Sequence, residues 1–169
     1  PPCRTEATRL PFWDFDSLAE EEARAAAAAG DVLDIESVRA LVATHGSAWR
    51  AVLARCEKDG ALSERLTPDV PYPAAAVLHA IEDEMAVTLA DVVVRRLPIG
   101  SAGYPGDEVV ATSGAVMAAA LGWDAERLAA PLSDQFEGAA DRAQHAQRQH
   151  VDLEQAERIE VVLVPLDHA

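Results

Sequence analysis

At 169 residues the chain suits a single domain. Its 14 basic residues against 29 acidic ones leave a net charge of −15, which repels phosphate backbones and anionic lipid and so excludes nucleic acid and direct membrane contact. Half of the residues are apolar, but 35 are alanine, a composition that favours closely packed helices and disfavours strands.

Residues 1–16 are Pro-rich and aromatic without helical period, so they read as an extended lead-in. Phe12, Trp13 and Phe15 are too apolar for a free linker; either they pack on the helices or they mark where a neighbour docks. Ser17 and Glu20 form a capping-box pattern that opens an Ala- and Glu-rich helix ending at Gly30. With five successive alanines it is expected to be peripheral. Asp31 or Asp34 caps a second helix, in which Ile35, Val38, Leu41 and Val42 recur at helical spacing and Gly46 supplies the stop. Ser47 starts a third, with Trp49, Val52, Leu53 and Cys56 on one face and Gly60 at its end.

Leu62 to Leu66 suits one further turn. Pro68, Pro71 and Pro73 then forbid regular helix until the last of them opens a long helix as its first-turn proline. Within that helix Val77, Leu78, Ile81, Met85, Leu89 and Val92 share one face, while His79, Glu82, Asp83 and Ala86 fall mostly on the other. A kink or brief break is predicted near Val87. There Thr88, followed three residues later by Asp91, reads as a fresh cap, and Arg95 and Arg96 complement the carbonyls of the last turn. Two readings of these charges stand. One is a solvated helix face; the other has Glu84 or Asp91 in a partly buried pair with an arginine from another turn or another domain.

Residues 97–106 form a loop. The spacing of Gly100, Gly103 and Gly106 invites a phosphate-loop reading, but no apolar strand precedes it and no Lys-Ser or Lys-Thr follows. Asp107 caps a helix with Val110, Ser113, Met117 and Leu121, closed by Gly122. Beyond it Leu128, Leu132, Phe136, Ala139 and Ala143 keep a helical period interrupted at Pro131, residues 144–155 are polar, and 159–166 suits a short strand or an extended tail. The expected fold class is all-α: a compact multi-helix bundle with Gly/Pro-rich connecting loops, divided into a lead-in (1–16), a helical domain (17–158) and a tail (159–169) that could hold a short C-terminal strand.

Candidate chemistry is sparse. His79 and Glu82 lie one turn apart and could share a metal, with further oxygens from Asp83 and Glu84, but the Glu-x-x-His order of di-metal carboxylate bundles is reversed and has no second copy, and His-Glu-x-x-His is absent. His145 and His150 are five apart, which separates them around a helix. No metal site is therefore assigned. Ser113 has no base assigned to it, and no Gly-x-Gly-x-x-Gly follows a strand to hold a dinucleotide. Cys3 and Cys56 make no disulfide or metal pattern. With no run of eighteen apolar residues and no charged-then-apolar leader, the sequence predicts a soluble, cytoplasmic protein. The opening Pro1-Pro2, without a methionine, suggests a domain cut from a larger parent.

The string Val77 to Arg96 carries Glu84, Met85, Ala86, Thr88, Asp91, Arg95 and Arg96 in an order that resembles the C-terminal helical domain of the aerobic FAD-dependent glycerol-3-phosphate dehydrogenases. The segment from Cys3 to Pro11 is similar to the connector ahead of that domain, as are His45-Gly46-Ser47 and the Leu-Gly-Trp-Asp order of 121–124. The chain departs from the pattern at His45, where an aromatic is usual, at Ala76 in place of a Glu, and at Leu97 in place of a Thr. The resemblance implies a parent in glycerol metabolism that oxidises glycerol 3-phosphate to dihydroxyacetone phosphate with FAD. It places this chain as a non-catalytic cap whose partner is the parent's FAD domain. Glu84, Thr88, Asp91, Arg95 and Arg96 are the expected structural and interdomain residues, with no catalytic, cofactor-binding or metal residue in the chain. The parent's place, cytoplasmic or peripheral at the inner membrane, and a homodimer stay open. The alternative is a stand-alone acidic helical interaction domain, and a metal-carboxylate enzyme is a third reading.

Overall fold

Five α-helices and one short hairpin make up the computed structural model among the described residues, 8–101 and 103–124. The elements below lie in one compact unit of the chain, and Ser101–Tyr104 belongs to a second. Cys3 and the elements expected beyond Asp124, including the tail strand, fall outside the described residues.

Helix α1 spans Leu18–Ala29, and Ser17 Oγ accepts the Glu20 N–H at 3.3 Å, as the capping-box spacing requires. Helix α2 spans Ile35–His45. Of the two candidate caps it is Asp34 that serves, accepting from the N–H groups of Glu36 and Ser37 at 3.0 Å each. Gly46, at φ +55, ends α2 and leads through a 3₁₀ turn, Gly46–Ala48, so that α3 begins at Trp49 rather than Ser47 and runs to Lys58.

A second 3₁₀ turn, Gly60–Ser63, precedes strands β1 (Arg65–Thr67) and β2 (Val70–Pro73). They pair antiparallel with Arg65 opposite Pro73 and Thr67 opposite Val70. This hairpin corrects the expected helical turn and irregular Pro-rich segment. Prolines forbid helix and central strands, but in a two-stranded ribbon both strands are edges and tolerate them. Arg65 ties the hairpin to α2 through Asp34 and Glu36, and this guanidinium is the first cause holding the Asp34 carboxyl well below its usual range.

Helix α4 (Ala74–Glu82) lies at the centre, against both α3 and α5 (Asp107–Leu121). Pro73 stands at its cap position, one residue before the expected first-turn place. Ala75, Ala76, Val77 and Ala80 are fully buried, joined in the core by Val92, Val93, Leu97 and Met117. Small side chains on α4 thus let neighbouring backbones approach, which is how an alanine-rich chain fills its interior.

Helix α1 is less peripheral than its composition suggests. It buries Ala25 and Ala29 against α2 together with Glu21, which is 1% exposed. Trp49 Nε1 donates to Glu21 Oε1 at 2.8 Å, Arg50 lies 2.8 Å from the same carboxylate, and Arg24 also donates to it. Burial alone would raise this carboxyl, but the Trp49 and Arg50 hydrogen bonds and the nearby guanidinium charges outweigh it and hold it low. Arg50 also stacks on the Trp49 ring at 4.5 Å.

Candidate functional site

The expected break in the helix is present but comes earlier than Val87, and it organises the site. Helix α4 stops at Glu82, five residues before the expected kink, and Met85 takes a left-handed conformation at φ +57. The reversal allows the Ala86 N–H to reach Ala80 O at 2.8 Å. It also removes Met85 from the apolar face assigned to it: the side chain is 80% exposed. Period counting ran through a break that the three-residue cap signal placed only approximately.

After the break Thr88 and Asp91 cap one another. Asp91 Oδ2 accepts the N–H groups of Val87 (3.1 Å) and Thr88 (2.9 Å), and Thr88 Oγ1 accepts that of Asp91 (3.1 Å). This is a capping box with Asp in place of Glu. The turn from Asp91 to Arg96 is π-helical, with the Leu97 N–H closing on Val92 O at 2.7 Å, a wide turn of the kind that recurs at functional sites. Arg95 pairs with Asp91 on its own turn. Arg96 reaches back across the break and donates from Nε (3.1 Å) and Nη2 (2.9 Å) to the Glu84 backbone oxygen. The arginine pairings are therefore within the segment: Arg95 with the Asp91 carboxylate, and Arg96 with the Glu84 carbonyl, its Nε also 3.6 Å from the partly buried Glu84 carboxylate, so that the expected pair with an arginine from another turn is present.

With its backbone clamped by Arg96, Glu84 turns its carboxylate toward two buried histidines. His45 comes from the end of α2 and His79 from α4, their rings edge-to-face at 5.0 Å. Glu84 Oε1 lies 3.3 Å from His45 Nδ1 and 3.7 Å from His79 Nε2. Asp83 Oδ2 is 2.8 Å from His79 Nδ1 but not aligned as a hydrogen bond. His45 Nε2, His79 Nδ1 and Glu84 Oε2 are buried without a hydrogen-bond partner. Burial pushes the His45 imidazole down, toward its neutral form, with His79 adding to the effect and Glu84 opposing it. Among the described residues this is the one group of three side chains able to share a metal ion, one ligand atom from each lying within 4.8 Å of the others. A groove of about 1040 Å³ opens beside it, lined by Leu10, Phe12 and Phe15 of the lead-in and by His79 and Glu84.

A family model described as the C-terminal domain of alpha-glycerophosphate oxidase matches residues 3–128. The chain belongs to that family. No curated protein and no solved structure matches it significantly. The match ends four residues past Asp124, so the family domain covers the lead-in, every described element and the capped turn.

Within the family domain, the sequence departures have local consequences. Ala76 and Leu97, where polar residues were expected, are fully buried, and Arg95 and Arg96 donate their hydrogen bonds to Asp91 and the Glu84 carbonyl instead. His45 sits at the helix, glycine, helix corner and becomes the third member of the cluster. Sequence reasoning weighed His79 with Glu82 and the oxygens of Asp83 and Glu84, and missed His45. Glu82 instead binds Arg55, which also holds Asp83. The one available signal was the histidine standing where an aromatic is usual. Ser113 is fully buried with its hydroxyl unpartnered, and burial closes it to substrate.

Proposed function

We propose that this chain is the cap domain of an FAD-dependent enzyme that oxidises glycerol 3-phosphate to dihydroxyacetone phosphate, and that it packs beside the parent's flavin domain without doing redox chemistry itself. The family match over residues 3–128 carries the reading. The residues present do not fit FAD: among the described residues the only sheet is the antiparallel hairpin β1–β2, and a dinucleotide's pyrophosphate calls for a strand, a Gly-rich turn and a helix start. Helix α5, which follows a glycine-rich loop, carries Asp107 and Glu108 in its first turn, charges of the wrong sign for phosphate.

The docking face is proposed at the groove. Leu10 (69% exposed) and Phe12 (60%), which line the groove, leave apolar surface uncovered, as do Trp13 of the lead-in and Met85 and Val87 of the segment that carries Glu84; exposed apolar groups of this kind suit an interaction surface. No described helix is long and apolar enough to cross a membrane. The purified chain is expected to carry no flavin absorbance. Mixed with the parent's separately produced flavin domain, it is expected to form a 1:1 complex in light scattering that Phe12→Asp or Met85→Asp weakens at least tenfold. Stoichiometric flavin on the isolated chain would refute the first half, and a complex indifferent to both substitutions the second. An intact mass from the native source equal to this chain alone would favour the stand-alone interaction domain.

A further inference from the structure

We propose that His45, His79 and Glu84 form a binding site for one divalent transition-metal ion of the zinc class, with Asp83 as the outer partner of His79 and a fourth position open to the groove.

The spacing carries the argument. Charge-assisted hydrogen bonds close to about 2.7–2.9 Å, yet Glu84 Oε1 stands 3.3 Å from His45 Nδ1 and 3.7 Å from His79 Nε2. Those separations are loose for sharing a proton. They lie close to the spacing for sharing an ion, since zinc bonds of about 2.0–2.2 Å set tetrahedral ligand atoms about 3.3–3.6 Å apart, and the three ligand atoms, within 4.8 Å of one another, would draw together around it. Two imidazoles and a carboxylate are a zinc donor set, and three protein ligands leave the fourth place for water. Both rings are buried, and His79 Nδ1 has no aligned hydrogen bond. With Asp83 Oδ2 2.8 Å from Nδ1, a small turn of the ring would bring that N–H onto the carboxylate and aim Nε2 at the ion, the usual outer arrangement of a ligating histidine.

Neighbouring charge does not oppose a cation. Arg96 is the nearest competitor, with Nε 3.6 Å from Glu84 Oε2, but its aligned hydrogen bonds go to the Glu84 carbonyl and leave Oε2 unbonded. Arg55 is held by Glu82 and Asp83. Three carboxylates at positions 82–84 thus face two guanidiniums. The groove lined by His79 and Glu84 supplies the entry path.

The test uses the full 169-residue chain, stripped with chelator and titrated with Zn²⁺, with Co²⁺ as the spectroscopic substitute. One ion per chain is expected, with tetrahedral cobalt bands and ring-nitrogen NMR shifts at His45 and His79. Glu84→Gln and His45→Phe should each weaken binding at least tenfold, with far-UV circular dichroism as the control for folding. Asp83→Asn should weaken it about tenfold or more, as loss of an outer partner does. Absence of binding at millimolar zinc, shifts confined to His145, His150 and His168, or unchanged affinity in a folded Glu84→Gln variant would each overturn the proposal. The ring shifts are read on the unsubstituted chain, so they decide the matter even where a variant fails to fold.

Discussion

Replacing Asp91 by alanine removes the acceptor for two backbone N–H groups and the partner of Arg95 in one step. Loss of a capping side chain costs about 0.5–2 kcal/mol, and the Arg95 pair, exposed on the arginine side, adds about 0.3–0.5 kcal/mol. The expected destabilisation is therefore about 1–2.5 kcal/mol, read as a lower urea midpoint by circular dichroism. Asp91→Asn keeps an acceptor oxygen and should lose about half as much. The pH dependence separates the charge from the cap. Burial would raise the Asp91 carboxyl, but the hydrogen bonds from Thr88 and Val87 and the Arg95 guanidinium hold it below its ordinary value. A depressed carboxylate contributes fully above its unfolded value, about 3.9, and the contribution is lost as pH falls through the folded value. The gap between the native chain and Asp91→Asn should thus be widest near neutrality and close in acid. If the alanine variant unfolds with the native midpoint, or the asparagine gap persists in acid, the mutual cap is not what holds the turn.

Glu21→Ala strands the buried Trp49 N–H and should cost about 1–3 kcal/mol, whereas Glu21→Gln preserves that acceptor and should cost clearly less; equal urea midpoints for the two would refute the assignment. Trp49→Phe added to Glu21→Ala should be less than additive in a double-mutant cycle, since the donor is already wasted. At Gly46 a Cβ would clash with the Phe12 carbonyl oxygen, and the Ser47 N–H bonds to that oxygen at 2.7 Å. Gly46→Ala should therefore release the lead-in, seen as a change in Trp13 fluorescence and faster proteolysis before Ser17; unchanged readouts would show that the contact gives way. Burial pushes the Cys56 thiol up to about 11, so in a Cys3→Ser background a maleimide at neutral pH should label the chain only after denaturant is added, and rapid native labelling would contradict the burial.

What the sequence revealed depended on range. Ser17, Asp34 and the Thr88–Asp91 pair were legible because a cap bonds to backbone two to four residues away, so its spacing is written in the chain. The core faces of α2 and α3 were legible because they repeat without interruption. Met85 was misplaced and His79 put on the outer face because a period counted through a break loses its phase, and one left-handed residue suffices to break it. The hairpin was hidden by Pro68, Pro71 and Pro73, which argue against helix without saying what replaces it. Glu21 with Trp49, and His45 with His79 and Glu84, are joined over 28 to 39 positions, and only packing brings such partners together.

Met85 has one further consequence. A non-glycine residue in the left-handed region costs about 1–2 kcal/mol, and a side chain 80% open to solvent recovers little of that by burial within this chain. Glycine or asparagine would hold the same bend more cheaply. The thioether is thus a cost to the isolated fold that an adaptable, polarisable contact from outside could offset. Selection for thermal robustness of the lone domain and selection for assembly would pull this codon in opposite directions.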